Sequence, residues 1–322
     1  MSAGPTISVL LPNYNHAQFL PRALNALAGQ TMQPFEIVVI DDCSTDDSLE
    51  VLEDFASRMP NLAVRKNEKN LGVNESVNRA ARAASGDFIV CSAADDWLEA
   101  DFIAEMMAMI EKAPDLRLCV SQYVEHLEAA DRFVLHEEDS ELGQWYLGRE
   151  PKFFTATEFA GLLRRGFVWL PITGAVIHRE TFLSIGGYDA KLRWHSDWFA
   201  TYAIALRYGF AAIPKPLANF RVAGNTYSSG ITRPDQQRAV CRAIYAKMRE
   251  TGFHDIGALI RRYPASLSPF MHHMLTGLAS RPIAWPFALR LSLWWLNEAR
   301  KGRRPGFVRR IAKSWGIRVA PR

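Results

Sequence analysis

The sequence has few cysteines, no long apolar run and no signal-like N-terminus. Its four cysteines are far apart and form no C-x-x-C pair, which argues against a disulfide framework or a zinc site and favours a reducing compartment. Residues 1–6 lack the charged and apolar regions of a signal peptide, and no run of about 18 uncharged apolar residues is present to span a bilayer. These absences predict a cytoplasmic protein.

Glycine-rich phosphate-binding motifs are also missing. The chain contains neither G-x-G-x-x-G nor G-x-x-x-x-G-K, which excludes a dinucleotide fingerprint and a P-loop. It has no internal repeat, and a hydrophobic content of 48% over 322 residues is enough for a substantial core.

Acidic residues are scarce only near the C-terminus. Residues 281–322 contain eleven Lys and Arg and one acid, whereas the rest has a net charge of −6.

Three short apolar segments predict buried strands, because they are brief and have no helical period. They are residues 7–11, 35–40 and 88–92. In open α/β sheets ligands bind at the carboxyl ends of the strands. The residues expected there are Pro12, Asn13 and Tyr14 after the first strand, Asp41 and Asp42 after the second, and Asp95 and Asp96 after the third.

Helical patterns lie between and after these strands. They cover residues 19–28, 44–55, 73–84 and 102–110, and Ser44 is the expected N-cap of the second helix. The alternation predicts an α/β fold with a mixed, largely parallel sheet flanked by helices. From residue 235 onward the pattern is helical, which predicts a C-terminal helical extension.

The two acidic pairs and Tyr14 together indicate a site for a nucleotide diphosphate. Tyr14 offers a ring face to a base, and Asp42 offers an acceptor to a base N–H. Asp95 and Asp96 suit a hard divalent cation that substrate phosphates complete. The alternative is that these carboxylates only cap the following turn, or a helix that starts near residue 98.

Asp197 is a candidate general base. It follows a Gly-Gly turn and begins a predicted helix over residues 195–208, where the helix N-terminus should keep the carboxylate ionised and able to accept a proton from a hydroxyl. The alternative is a simple N-cap. His195 is a second candidate base or ligand, although we expect it to be a partly exposed turn residue.

Six motifs resemble those of family 2 glycosyltransferases and occur in the same order over residues 6–225. They are P-N-Y-N (12–15), V-I-D-D-C-S-T-D (39–46), N-L-G-V (70–73), A-S-G-D-F-I (84–89), A-D-D (94–96) and G-G-Y-D (186–189). The resemblance implies the glycosyltransferase-A fold, an inverting reaction and a nucleotide-diphosphate sugar as donor. It assigns the donor to Pro12, Asn13, Tyr14, Asp41, Asp42 and Asp95, a Mg²⁺ or Mn²⁺ ion to Asp96, and the general base to Asp197.

The resemblance also divides the chain. Residues 1–230 would form the catalytic domain, with a nucleotide-sugar half (1–114) and an acceptor half (115–230), and residues 231–322 a basic helical extension. Three positions depart from the family pattern. Ala93 stands where many members have the first Asp of Asp-x-Asp-Asp, Ser196 where many have Glu, and Ala223 where some have His. These departures leave open a catalytically inactive protein that binds a sugar nucleotide.

The C-terminal segment has an apolar helical face, formed by Ala284, Phe287, Ala288, Leu291, Trp294 and Trp295. A second such face follows at Phe307, Val308, Ile311 and Trp315. Trp beside Lys and Arg is typical of an interfacial helix on an anionic membrane, which predicts peripheral attachment near a glycan or polyprenyl-linked acceptor. The alternatives are packing on the body and a membrane adaptor without catalysis. No nucleic acid is expected, because no nucleic-acid motif accompanies the charge.

Overall fold

The computed structural model describes residues 4–135, 148–223, 233–279 and 281–300. Within them lies one mixed sheet of ten strands with helices on both faces. The strands are β1 (Ile7–Asn13), β2 (Glu36–Asp41), β3 (Leu62–Lys66), β4 (Phe88–Cys91), β5 (Trp97–Leu98), β6 (Leu118–Leu127), β7 (Arg132–Leu135), β8 (Lys152–Phe154), β9 (Ala175–His178) and β10 (Phe210–Val222). The helices are α1 (Leu20–Ala28), α2 (Ser48–Arg58), α3 (Val73–Ala83), α4 (Phe102–Lys112), α5 (Ala156–Arg165), α6 (Arg179–Ser184), α7 (Ser196–Tyr208), α8 (Pro234–Lys247), α9 (His254–Arg262), α10 (Met271–Leu278) and α11 (Trp285–Arg300).

The strand order brings the three predicted strand ends together. The order is β3-β2-β1-β4-β9-β6-β10-β5, with β7 paired to β6 and β8 to β10. Strand β1 is parallel to both β2 and β4, and its register places Asn13 opposite Asp41. The predicted mixed α/β sheet is confirmed. The carboxyl ends of β1, β2 and β4 form one edge, called here the carboxyl edge.

Apolar residues of β1 face two cores on opposite sides of the sheet, as the two-residue period of a strand requires. Ile7, Val9 and Leu11 pack with α1, α2 and α4, whereas Leu10 packs with α3. The core on the α3 side, called here the second core, continues through α5 and α7 into the C-terminal helices as far as Leu291. Burial on both faces explains why these strands are continuous apolar runs.

One predicted helix start is wrong, and one alternative helix start is not observed. Helix α2 begins at Ser48 rather than after Ser44, because the Ser44 hydroxyl instead accepts the backbone N–H of Asn15 at 3.0 Å. The alternative role of Asp95 or Asp96 as a helix cap also fails. The residues after them form strand β5, and α4 starts only at Phe102, so neither carboxylate caps a helix.

The C-terminal helices extend the second core. The face predicted to meet a membrane packs on the body instead, because Ala284, Phe287 and Leu291 are buried in that core and Trp294 packs against it. The predicted boundary at residue 230 and the second apolar face over residues 307–315 lie outside the described residues. The division into domains stays a prediction. Among the described helices, none is long and apolar enough to cross a bilayer.

Candidate active site

Asn13 and Asn15 lock the first two strand ends to each other. The Asn13 side-chain amide donates to Asp41 Oδ1 at 2.9 Å and to Ser44 Oγ at 3.2 Å. Asn15 accepts the backbone N–H of Thr45 at 2.8 Å. Asn15 and Cys43 adopt left-handed backbone conformations, with φ of 53° and 66°, which are uncommon for residues with a side chain. The two turns are therefore held in one fixed arrangement.

This arrangement leaves polar and aromatic groups available at the carboxyl edge. Asn13 is 2% exposed, and within the described part of the chain its Oδ1 has no hydrogen-bond partner. A buried oxygen without a donor is costly, so it suits a ligand that brings an N–H. Tyr14, next along the chain, is 43% exposed and presents its ring to solvent, while Pro12 is half-buried. An amide acceptor beside an exposed ring fits a nucleobase.

Asp42 is fully engaged by its own chain. Its carboxylate accepts the backbone N–H groups of Leu71 and Gly72, each at 2.8 Å, and the side-chain amide of Asn67 at 2.7 Å. Gly72 is the residue before α3, so Asp42 caps that helix from another strand. These contacts lie outside the turn that follows β2, so the alternative of capping that turn does not describe Asp42, and its role toward a base stays a prediction.

Asp96 is a desolvated carboxylate in the turn between β4 and β5. It is 3% exposed and accepts only two hydrogen bonds from described residues, from the Arg221 backbone at 2.9 Å and the Thr173 hydroxyl at 3.3 Å. Burial, together with the charge of Asp95, raises the pKa of Asp96 well above its ordinary value. A nearby cation would relieve that cost.

Arg221 is a functional candidate that the sequence did not single out. Its guanidinium lies 3.1 Å from Asp95 and 2.6 Å from Glu128, and it stacks 3.9 Å above the ring of Phe19. Its side chain is 14% exposed, so the site contains a fixed positive charge beside the acidic pair. No pattern in the sequence around residue 221 pointed to it.

The donor chemistry fits a divalent cation if substrate completes its shell. Within the described ranges, no group of three His, Cys, Asp or Glu side chains is placed to hold a metal. Asp95 and Asp96 supply carboxylate oxygens, which hard cations prefer. A cation here would therefore need phosphate and water oxygens besides Asp96, and its presence stays a prediction.

Asp197 lies in the first turn of α7 and is partly buried. Its Oδ1 accepts the backbone N–H of Trp198 at 2.6 Å. The expectation that the helix N-terminus simply keeps it ionised needs correction, because burial outweighs these N–H groups and raises its pKa to about 6. A carboxylate with that pKa is still mostly ionised at neutral pH and is a stronger base than an exposed Asp.

The charge of Asp197 acts on two neighbouring side chains, Cys91 and Tyr188. Burial raises the pKa of the Cys91 thiol to about 12 and also raises that of the Tyr188 hydroxyl, and the charge of Asp197 adds to both shifts. Cys91 is the last residue of β4, the strand that leads to Asp95 and Asp96. Ser196, next to Asp197, accepts a hydrogen bond from Asn74 in the first turn of α3, and Asp42 binds the N–H of Gly72 just before that helix, so Asp197 lies near the carboxyl edge.

Helix α3 fixes the segment that leads from the Gly-Gly turn to Asp197. It does so through two asparagines that the sequence analysis did not identify. Asn78 donates to the Tyr188 carbonyl and accepts the Tyr188 N–H, both at 2.8 Å. Asn74 donates to Ser196 Oγ at 3.0 Å. Gly187 must be glycine, because its φ is 65° and a Cβ there would lie 2.3 Å from Asn78 Oδ1. Asp42 caps the same helix, so α3 links the two halves of the site.

His195 is not a base in this arrangement. Contrary to expectation it is buried, at 4% exposure, with its Nε2 at 2.8 Å from the side-chain nitrogen of Gln237. Burial lowers its pKa to about 4, so the ring is neutral and accepts a hydrogen bond from Gln237. Its contacts make it part of the interface with α8.

Comparisons with known proteins agree with this geometry. The sequence model described as Glycosyl transferase family 2 matches residues 8–167. EpsH of Bacillus subtilis, a protein named as a glycosyltransferase, is 30% identical over 223 residues, which are 68% of this chain and 61% of EpsH. A PGL/p-HBAD biosynthesis glycosyltransferase of Mycobacterium tuberculosis is 35% identical over 109 residues, which are 34% of this chain and 43% of that protein. The match thus spans about three-fifths of EpsH and less than half of the mycobacterial protein.

Solved structures share the fold. S. aureus TarS (residues 1–349), in complex with UDP-GlcNAc, superposes with a TM-score of 0.64 at 18% identity, covering 89% of this chain and 79% of that one. The mannosyltransferase PcManGT from Pyrobaculum calidifontis, in complex with GDP-Man and Mn²⁺, gives a TM-score of 0.52 at 17% identity, covering 98% and 89%. At these identities the likeness establishes the fold.

Proposed function

Since the chain belongs to glycosyltransferase family 2, we propose that it transfers a sugar from a nucleotide-diphosphate donor to a hydroxyl group, with inversion at the anomeric carbon. The observation that carries this proposal is the position of Asp197, which is partly buried and next to Ser196, the residue hydrogen-bonded to Asn74 at the end of α3 that Asp42 also binds. A base and a diphosphate site that meet at one edge are what a direct displacement requires.

The donor would bind at the carboxyl edge. Tyr14 would stack on the base, and the unpartnered Asn13 Oδ1 would accept a base N–H. Asp41 and Asp42 would hold the loops around it, and Asp95 would face the ribose or the sugar. The relatives in complex with UDP-GlcNAc, or with GDP-Man and Mn²⁺, support a nucleotide sugar as donor.

Asp197 would act on the acceptor. Its carboxylate takes the proton of the attacking hydroxyl while the oxygen forms a bond to the anomeric carbon, and the bond from that carbon to the diphosphate breaks on the opposite side. One base and one displacement suffice, so no protein nucleophile is needed. A divalent cation on Asp96, when bound, would supply Lewis-acid neutralisation of the leaving diphosphate. The Arg221 guanidinium, already beside Asp95, would add positive charge.

The acceptor is proposed to be a glycan or a polyprenyl-linked sugar at the cytoplasmic face of a membrane. The support is the basic C-terminal segment, since residues 281–322 carry eleven Lys and Arg. An acceptor anchored in the membrane would then be presented to an enzyme held at its surface.

The substitution Asp96→Asn tests the donor site. It should weaken binding of a nucleoside diphosphate in the presence of Mg²⁺ or Mn²⁺ far more than binding of the free nucleoside, because the proposed cation contacts phosphate and not base. Asp115→Asn makes the same chemical change at an exposed position and should alter neither affinity. Calorimetric titration measures the affinities for both ligands. An equal loss of affinity for the two would contradict the assignment of a metal to Asp96.

Stereochemistry tests the mechanism. Proton NMR of the product formed from an α-linked donor should show a β-linked sugar. A product with retained configuration would contradict the single displacement, and donor binding without any transfer by the wild type would favour an inactive sugar-nucleotide-binding protein.

A further inference from the structure

We propose that the outer side of α11 docks onto an anionic phospholipid bilayer. This side is opposite to the one that packs on the body and forms a set of large apolar side chains, the outer stripe. Its members are Ile283, Trp285, Leu289, Leu293 and Leu296. The inference goes beyond sugar transfer and stands on contacts that the transfer site does not use.

The outer stripe is continuous and exposed. Its helical members follow one another at spacings of four, four and three residues, which places them on a single side of the helix. They are 57%, 61%, 57% and 47% exposed, and Ile283, just before the helix, is 68% exposed. A continuous apolar set of this kind on a protein surface marks an interaction site, unlike isolated exposed leucines.

The positive charges near the stripe favour binding to an anionic surface. Arg281 and Arg290 are exposed on the same segment. Residues 301–322, which continue the chain from α11, contain eight Lys and Arg and no acid. Apolar side chains flanked by cations are the chemistry of a helix that lies in a phospholipid interface.

The geometry also fixes how the helix would lie. Helix α11 is held along its inner side by the second core, so only its outer side is free to enter a bilayer. The sixteen residues of α11 that the structure describes are too few to span one. The helix would therefore lie in the plane of the interface, with Trp285 among the headgroups and the leucines reaching the acyl boundary.

Vesicle flotation of the full chain tests this inference. Wild type should float with vesicles of equal parts phosphatidylglycerol and phosphatidylcholine and should remain unbound with phosphatidylcholine alone. The double variant Leu289→Gln with Leu293→Gln should bind the anionic vesicles roughly tenfold more weakly or worse, since two apolar side chains are lost from the interface. Met32→Gln with Phe35→Gln removes two other exposed apolar residues and should bind like wild type.

The remaining outcomes decide between this bilayer and other occupants. Unchanged binding by the stripe variant, with loss of binding on removal of 301–322, would assign attachment to the basic segment alone and overturn the inference. An oligomer by light scattering that the stripe variant converts to a monomer would assign the stripe to a second copy of the chain. Because the stripe residues have no role in the proposed transfer reaction, turnover on a soluble acceptor should be unchanged, so a failure here is separable from a failure of the proposed function.

Discussion

Replacing Asp197 with Asn should abolish sugar transfer and, at neutral pH, stabilise the fold. Burial raises the pKa of Asp197 from 3.8 to about 6, so the folded chain holds this proton more tightly than the unfolded chain does. At about 1.36 kcal/mol per pKa unit, keeping the carboxylate ionised costs the folded state roughly 3 kcal/mol near pH 7. Asn carries no charge and retains an oxygen for the Trp198 N–H.

The pH dependence gives the sign of this effect. Between about pH 4 and 6 the folded wild type binds more protons than the unfolded chain, so the stabilisation from protonated Asp197 is lost as pH rises through that window. The stability gap between variant and wild type should be widest above about pH 7, at up to roughly 3 kcal/mol, and close near pH 4. Urea unfolding measures the gap, with Asp115→Asn as the exposed control that should show none.

Turnover supplies the second half of the test. Loss of a general base typically lowers the rate by about 10²–10⁴-fold, and wild-type turnover should rise through about pH 6 and then level off. Donor binding should be spared, because the proposed mechanism assigns Asp197 to the acceptor. Near-normal turnover by Asp197→Asn, or a variant less stable than wild type at neutral pH, would refute the assignment of a desolvated base.

Three further substitutions probe the scaffold and the donor site. Gly187→Ala should lower the free energy of unfolding by roughly 2–4 kcal/mol in urea titrations, since it adds a clash with Asn78 to backbone strain. Gly186→Ala, at a position with positive φ but no such clash, should lower it less. Equal losses for the two variants would show that the clash is not the cause. Asp42→Asn should cost about 1–2 kcal/mol by weakening the cap of α3, and unchanged stability would contradict that capping role. Tyr14→Ala should weaken nucleotide binding by about 1–3 kcal/mol in calorimetry, whereas Tyr14→Phe should not, because stacking needs only the ring; equal effects would point to the hydroxyl.

The carboxyl edge could be predicted from the sequence because strand burial has a local signature. Parallel strands covered on both faces must be apolar throughout, and the first polar residues after them mark their ends. This is how Asn13, Asp41 and Asp96 were placed at one edge before any pairing was known. The prediction needed only short segments and the rule that consecutive β-α units form adjacent strands.

Residues whose roles depend on distant partners could not be predicted. Asn78 bonds residue 188 and Arg221 meets Asp95, across 110 and 126 positions of the chain. Nothing near either residue encodes those contacts. A weak signal existed in α3, where Asn74 and Asn78 interrupt an Ala-rich helix four residues apart, on one side. Amides on a buried helix side must find partners, so this spacing could have indicated a structural role.

Helix α11 shows a different limit. Its sequence is apolar on two sides, and helical period identifies both without saying which one packs inward. The side that includes Phe287 and Leu291 was expected to meet a membrane, yet it completes the second core. The side that includes Leu289 and Leu293 is the exposed one. The choice is made by the shape of α8 to α10, which no local pattern contains.

The central claim is that a nucleotide sugar binds at the carboxyl edge beside Asp197. Saturation-transfer NMR of the purified chain against UDP-, GDP- and dTDP-sugars, with Mg²⁺ or Mn²⁺, tests it most directly. We predict that at least one donor shows strong saturation of its base protons in the wild type, and that Tyr14→Ala abolishes this signal while Asp115→Asn keeps it. Absence of saturation for every donor, or an equal signal in Tyr14→Ala, would contradict the account.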